Sequence, residues 1–174
     1  MSIELVIADL ESKFSASLRA EAESMVAEMV PAYQSGITLL GRLKGSLGQE
    51  IELTLTDGRV IDGCLLRATK DWVLLRTAYE SVLIPLSQVN VFGPLGKALM
   101  GSHRLDNLSM GTILRDLADK KSLVRLFLLS GNWLGHVVSC GSDWIGFRVY
   151  ETRKELIVPL TAIVSISTPV ILEE

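Results

Sequence analysis

An internal repeat constrains the fold of this chain more than any other feature of its sequence. Four pairs of segments match in the same order: 35–43 with 109–117, 50–58 with 123–131, Asp71-Trp72-Val73 with Asp143-Trp144-Ile145, and 83–86 with 157–160. Their spacing changes only at the turns, where surface hairpins tolerate insertions. The chain is therefore predicted to contain two copies of one small folding unit.

Each copy contains a strand that ends in a tight turn. Residues 50–56 and 123–129 place apolar side chains at every second position, as a strand with one buried face does. The dipeptides Asp57-Gly58 and Ser130-Gly131 follow, and such dipeptides favour hairpin turns. The two segments are therefore predicted to be equivalent first strands.

Each copy also begins with a short helix. Thr38 and Thr112 stand where that helix would be capped, because a threonine oxygen accepts an orphan backbone N–H. Gly63 and Gly135 are expected to open the second strands. A short helix and about five strands in roughly 55 residues close best as a bent barrel, which hides the strand edges. The predicted fold class is mainly β, with an N-terminal α-helix and two tandem five-stranded barrels.

A long amphipathic helix is predicted before the repeat. Residues 5–30 place apolar side chains at spacings of three and four, and Pro31 ends the run because proline disfavours helix at the residue before it. Residues 1–36 carry two bases and six acids, whereas the other 138 residues carry fifteen bases and fourteen acids. The acidity therefore belongs to the helix, and the nearly neutral body does not require a nucleic-acid partner.

The repeat divides the chain into four predicted parts. They are the N-terminal helix with its lead-in (1–36), the first barrel (37–92), a glycine-containing linker (93–111) and the second barrel (112–174).

The order of these features resembles the Sm-like (LSm) fold, a small SH3-like barrel. The shared features are a capped short helix, a strand ending in Asp-Gly, and a glycine that opens a bent strand. The resemblance covers residues 37–92 and 112–168. The tandem form with a leading helix also resembles an uncharacterised family of actinobacterial proteins. Sm-like barrels commonly assemble into rings, so the resemblance implies an oligomer.

The base-binding positions of the Sm-like family are not kept. The family places Met-Asn after the bent strand and Arg-Gly in the fourth strand, and their Asn and Arg contact the base. This chain has Val73 and Ile145 at the Asn position, and Pro85 and Pro159 at the Arg position. The resemblance therefore implies the fold but not the family's uridine-binding chemistry.

Side chains suited to catalysis or metal binding are sparse. Cys64, Cys140, His103 and His136 are the only soft metal ligands in the sequence. Cys64 and His136 occupy equivalent positions in different copies, whereas a zinc site needs about four converging ligands. No pair of nucleophile and base is evident either. We predict no catalytic site, no metal and no cofactor.

The tryptophans allow two interpretations. Trp72 and Trp144 can stack on bases or fill the barrel core, and core filling is favoured because tryptophan buries a large apolar area. Trp133 stands beside a tight turn and has no counterpart in the first copy, so it is either buried or in contact with a partner.

The strand 123–129 is apolar on both faces. Leu123, Phe127 and Leu129 lie opposite the predicted core face and need a cover. That cover is the N-terminal helix, the other barrel or another chain, and we predict that the helix docks on the barrels in one chain or between two. The predicted interaction surface comprises Phe14, Leu18, Met25, Met29, Leu123, Phe127, Leu129 and Trp133.

These observations favour a binding role over catalysis. We predict a non-catalytic scaffold or protein-interaction module that self-associates, with an RNA- or DNA-binding Sm-like regulatory protein as the alternative. A homo-oligomer or protein partner is favoured over nucleic acid. The sequence has no run of about 20 apolar residues for a membrane span and no secretory signal pattern, so a cytoplasmic location is predicted.

Overall fold

A computed structural model describes residues 1–22 and 36–170, with side chains for all of these except 15–22. The helices in that range are α1 (Ile3–Ala22), α2 (Leu39–Lys44) and α3 (Met110–Asp119). The strands are β1 (Glu50–Leu55), β2 (Val60–Ala68), β3 (Trp72–Arg76), β4 (Glu80–Pro85), β5 (Val89–Phe92), β6 (Leu123–Leu128), β7 (Gly131–Cys140), β8 (Trp144–Val149), β9 (Glu155–Pro159) and β10 (Ile163–Pro169). The prediction of a mainly β protein with an N-terminal helix is confirmed.

The strands form one antiparallel sheet. Their order is β5-β1-β2-β3-β4-β10-β6-β7-β8-β9, so the sheet is continuous from β5 to β9 and is not closed. The first five strands and the last five follow the same order of pairing, with the last strand of each half beside its first. The halves join where β4 pairs with β10. The strands therefore share one sheet in which β5 and β9 are the ends, rather than two separate closed sheets.

Irregularities of pairing fall at matching places in the two halves. The register between the second and third strands shifts between Leu65 and Arg67 in the first half and between Val137 and Ser139 in the second. Trp72 lies opposite Pro85, as Trp144 lies opposite Pro159. A β-bulge bends its strand and increases the local twist, so both halves bend at the same point.

A glycine lies three residues before each bulge and lets a neighbouring strand approach closely. Gly63 and Gly135 lie within the second strands rather than at their start. A Cβ at Gly63 would lie 2.8 Å from the carbonyl oxygen of Arg76, and one at Gly135 would lie closer still to the carbonyl of Arg148. Only glycine lets the neighbouring strand approach so closely.

The two short helices, α2 and α3, are capped at positions that do not correspond in the repeat. Thr38 caps α2 as predicted, since its side chain accepts a hydrogen bond of 3.0 Å from the backbone N–H of Gly41. For α3, the cap is Ser109, and Thr112 lies inside the first turn, where its N–H donates to Ser109. The predicted cap at Thr112 is wrong because Ser109 accepts the same kind of bond one turn earlier.

Two unequal apolar cores lie against the sheet. The first contains alternate residues of β1–β4 and accepts Val164 from β10. The second contains the inward side chains of β6–β9, the apolar face of α3 and the first half of α1. Val73 and Leu75 belong to the first core, whereas Trp72 and Leu74 belong to the second. Strand β3 is therefore buried on both faces.

Candidate interaction surfaces

The residues predicted as one interaction surface do not lie together. Phe14 is 42% exposed on α1, and Leu129 is 70% exposed at the turn between β6 and β7. Met25 and Met29 lie outside the described residues, as does the side chain of Leu18. The predicted match between these helix residues and the outer face of β6 therefore has no support in the described part of the chain.

Trp133 and Leu123 are both half-buried, at different places. Trp133 packs from β7 against the second core. Leu123 lines a shallow cavity at the junction of the two halves, together with Tyr79 and Leu134. Trp133 thus contributes to the packing of its own chain.

Phe127 is covered by the other half of the same chain. The guanidinium carbon of Arg59 lies 3.7 Å from the centre of the Phe127 ring. Arg59 also donates hydrogen bonds of 2.6 Å to Asp57 and 2.7 Å to the hydroxyl of Ser165. A guanidinium held over a ring is attracted by the ring quadrupole. Arg59 therefore ties the β1–β2 hairpin to β6 and β10.

Helix α1 docks on the outer face of β3 and β4 and contacts α3. Its N-terminus is fixed by the backbone N–H of Ile3, which donates a buried hydrogen bond of 2.8 Å to the hydroxyl of Thr168. Opposite the helix lie Trp72, 1% exposed, and Leu83, 0% exposed. The buried stripe has the spacing of one helical face. It consists of Ile3, Val6, Ile7 and Leu10.

Ion pairs flank this apolar contact on the side of the first half. Glu4 pairs with Arg76 at 3.4 Å, and Glu11 accepts two guanidinium hydrogen bonds from Arg67. The hydrogen bonding of Arg67 to the Glu11 carboxylate raises the pKa of Arg67 above its usual value. Because these groups are partly exposed, they orient the helix more than they stabilise it.

On the side of the second half, Asp9 of α1 pairs with Lys120. The carboxylate lies 2.8 Å from the Lys120 ammonium and 3.1 Å from that of Lys13. Hydrogen bonds from Lys120 and Lys13 hold the pKa of Asp9 below its usual value. Burial would lower the pKa of Lys120, but its bonds to Asp116 and Asp9 outweigh that effect and raise it.

Strand β9 has an open edge among the described residues. The N–H of Val149 donates to the carbonyl of Lys154, so alternate residues of β9 direct their main-chain groups toward β8. Glu155 and Ile157 therefore direct theirs away from the sheet. The side chain of Ile157 is 69% exposed.

Strand β5 has the other open edge. The N–H of Gly93 donates to the carbonyl of Glu52 in β1, so Phe92 directs its main-chain groups away from β1. Val91 is 57% exposed on this strand. Pro94 follows and has no N–H to offer.

Reactive side chains of the described residues stay apart. No group of three or more His, Cys, Asp and Glu in this part of the chain is arranged to hold a metal ion. Burial raises the pKa of the Cys140 thiol, which lowers its nucleophilicity at neutral pH. His103 accepts a hydrogen bond from the N–H of Leu105, and His136 lies 3.1 Å from the carbonyl of Ser122. Each therefore has a structural contact.

A mainly apolar cavity of about 610 Å³ lies between α1, α2, β2 and the linker. Its charged lining residues already pair with each other, Glu11 with Arg67 and Lys44 with Asp106. The cavity therefore offers little to fix a charged ligand. Separately, none of the helices described has both the length and the apolar character that a membrane span requires.

Sequence reasoning missed the outer face of β3 and β4. A signal was present, because 72–75 and 82–84 are continuous apolar runs, and such runs indicate a strand buried on both faces. In the second half, Gly146 interrupts the run that matches 72–75, whereas 156–158 is as apolar as 82–84. The contact of Arg59 with Phe127 had no comparable signal, since it depends on how the halves join.

No protein-family model matches this chain, and no curated protein matches its sequence. The Sm-like resemblance accordingly stays a proposal.

Proposed function

We propose that this chain is a non-catalytic scaffold built from two Sm-like barrels, and that its copies associate head to tail through β9 of one and β5 of the next. The observation that carries the proposal is the joint inside the chain. There, the fourth strand of the first half pairs with the fifth strand of the second half. The unpaired ends of the sheet are the other fourth strand, β9, and the other fifth strand, β5.

The pairing of β4 with β10, here called the inner joint, indicates the register for the outer joint, which is the pairing of β9 of one copy with β5 of the next. Ile166 lies opposite Leu83, and Thr168 lies opposite Ser81. In the repeat, Leu83 and Ser81 correspond to Ile157 and Glu155, and Ile166 and Thr168 correspond to Phe92 and Pro94. The equivalent pairs between copies are therefore Phe92 with Ile157 and Pro94 with Glu155. The exposed side chains of Ile157 and Val91 would become covered in such an assembly.

Main-chain hydrogen bonds limit how strong this outer joint is. In an antiparallel pair, two residues that face each other exchange two bonds. Phe92 and Ile157 satisfy this requirement, whereas Pro94 accepts from Glu155 but cannot donate in return. The outer joint therefore makes three of the four bonds that the inner joint makes at these two positions. We expect a reversible assembly rather than a permanent one.

Base binding has less support. The indole of Trp72 is buried and donates a hydrogen bond of 2.7 Å to the carbonyl of Leu108, so it offers no face on which a base can stack. Val73 and Ile145 are buried core residues. These contacts favour the scaffold over the nucleic-acid alternative.

The proposal is tested by the mass of the protein in solution. Light scattering after size-exclusion chromatography, from about 1 to 200 μM, should show a mass that rises with concentration in multiples of one chain, because three hydrogen bonds and a few apolar side chains give modest affinity. A mass of one chain at every concentration overturns the proposal.

Two variants at one position isolate the main-chain bond. Glu155→Pro removes an outward N–H at the first residue of β9, where proline is tolerated, and should reduce self-association. Glu155→Ala removes the same side chain and its pair with Arg148 but keeps the N–H, so it should associate as the wild type does. Equal loss in both variants would contradict pairing through the edge.

Mixing the wild type with an excess of the Glu155→Pro variant distinguishes head-to-tail pairing from pairing of two β9 strands. A Glu155→Pro copy still presents β5, so an excess of it should block the β9 ends of wild-type assemblies and shorten them. If two β9 strands paired instead, the excess would leave wild-type dimers intact.

A further inference from the structure

The outer face of β8 and β9 repeats the face on which α1 docks. Trp72, Leu66 and Leu83 form the apolar part of the first face and pack in the second core with α1. The equivalent positions in the second half hold Trp144, Val138 and Ile157. The equivalence follows from the register, since the two tryptophans face equivalent prolines and Leu66 and Val138 are both the extra residue at a bulge.

The side chains of this second face point away from its own core. Ile145 and Phe147 belong to the second core, so the alternation of the strand directs Trp144 and Gly146 outward. A Cβ at Gly146 would lie 3.3 Å from a methyl of Val138, which places Val138 over the strand on the same side. The three apolar residues are therefore neighbours on one surface.

Nothing in the described part of the chain covers this surface as α1 covers the first. Leu83 is 0% exposed beneath α1, whereas its equivalent Ile157 is 69% exposed. Val138 is also exposed and Trp144 is half-buried. Exposed polar and charged side chains, Ser139, Arg148 and Glu155, lie beside it, and a contiguous exposed apolar surface rimmed by polar residues is typical of a binding site.

The two faces differ in their charged residues. Glu4 of α1 contacts both Arg76 and the hydroxyl of Ser81 on the first face. On the second face Arg148 stands at the position of Arg76, but Glu155 replaces Ser81 and already pairs with Arg148. A helix with an acid at that point would meet a neutralised arginine and a like charge, which is unfavourable.

We propose that the β8–β9 outer face, defined by Val138, Trp144 and Ile157, binds an amphipathic helix of another protein. That helix carries an apolar stripe with the spacing of Ile3, Val6, Ile7 and Leu10, and a neutral or basic residue where α1 has Glu4. The face lies within one chain, so the inference does not depend on the association of copies through β5 and β9.

The probe is a synthetic peptide of residues 1–14 that carries Glu4→Gln. Titrated into ¹⁵N-labelled full-length protein, it should shift the indole N–H signal of Trp144 progressively and leave that of Trp72 in place. The three indole signals are assigned with Trp72→Phe, Trp133→Phe and Trp144→Phe variants. The unmodified peptide, which keeps Glu4, should bind more weakly.

Two controls define the face. Ile157→Asp in the protein should weaken binding at least tenfold, and so should Ile7→Asp in the peptide, because each places a charge in the apolar contact. Tyr79→Asp changes an exposed residue away from the face and should leave binding unchanged. A Trp144 signal that does not respond at millimolar peptide overturns the inference, as does a response at Trp72 alone, which would mean exchange with α1. The titration is done at a concentration where light scattering reports single chains, so failure here and failure of edge pairing are told apart.

Discussion

Trp72 and Trp144 hold the same position in the two halves but have different surroundings. Both were predicted to fill the core of their own barrel. Trp72 instead points out of the first core and is buried by α1 and Leu108, while Trp144 remains half-buried on the outer face of β8. A repeat in the sequence predicts equivalent backbone positions, but it does not predict which of two equivalent side chains another element covers.

Replacement of the two tryptophans should therefore have unequal effects. Trp72→Phe removes the indole donor and leaves the buried carbonyl of Leu108 without its partner, which costs roughly 1–3 kcal/mol in addition to the lost packing. Trp144→Phe should change the free energy of unfolding by less than about 1 kcal/mol, since no buried bond is lost. Urea denaturation of both variants measures the difference, and equal destabilisation would contradict the burial described for Trp72.

At the scale of elements, α1 shows what periodicity can and cannot predict. An amphipathic helix near the N-terminus was predicted from residues 5–30, and the helix begins at Ile3 and is described to Ala22. The pattern also indicated that one face would be covered. It did not indicate which part of the face: among the described side chains of α1, those buried lie between Ile3 and Leu10, whereas Phe14 is exposed.

The contribution of α1 docking to the free energy of unfolding can be measured with a matched pair of substitutions. Ile7→Ala removes a side chain that is 1% exposed in the second core and should destabilise the protein by about 2–4 kcal/mol. Leu5→Ala changes a neighbour on the solvent side and should have an effect within about 0.5 kcal/mol. The comparison is made by thermal or urea unfolding, and similar values for both variants would mean that α1 is not docked in solution.

The attachment of α1 should also depend on pH through Asp9. The folded-state pKa of Asp9 is depressed, so its contribution to stability is complete above the pKa of the unfolded chain and is lost as pH falls through the folded value. Protease cleavage within α1 should therefore accelerate below about pH 4, after allowance for the pH dependence of the protease. In Asp9→Asn the acceleration should be smaller; an unchanged profile would mean that other carboxylates control the attachment.

At the scale of the whole molecule, the repeat predicts the number of strands and their order within each half. It does not predict that β4 pairs with β10, because the sequence contains two fourth strands and two fifth strands and does not say which of them meet. The continuous sheet also explains Phe127. Its outward position on β6 was visible in the sequence, but its cover, Arg59, belongs to a hairpin of the other half.

The contact between Arg59 and Phe127 should contribute to holding the halves together. Arg59→Ala and Phe127→Leu should each destabilise the protein, and the double variant should lose less than the sum, with a coupling energy of about 0.5–1 kcal/mol. The four unfolding free energies, of the wild type, the two single variants and the double variant, give the coupling directly. A coupling near zero would show that the ring and the guanidinium act independently.

The anchor of Ile3 on Thr168 has a consequence for synthesis. The chain is made from its N-terminus, and domains generally fold as units as they emerge. Helix α1 leaves the ribosome before the other elements described, yet it is fixed by the hydroxyl of Thr168 near the end of β10 and packs against α3. The strands of the first half can pair as soon as residue 92 has emerged, whereas the apolar face of α1 must wait until β10 has emerged. Of the described helices, the first to be translated is therefore the last to reach its place, and during that interval its apolar stripe lacks the strands and helix that cover it in the folded protein.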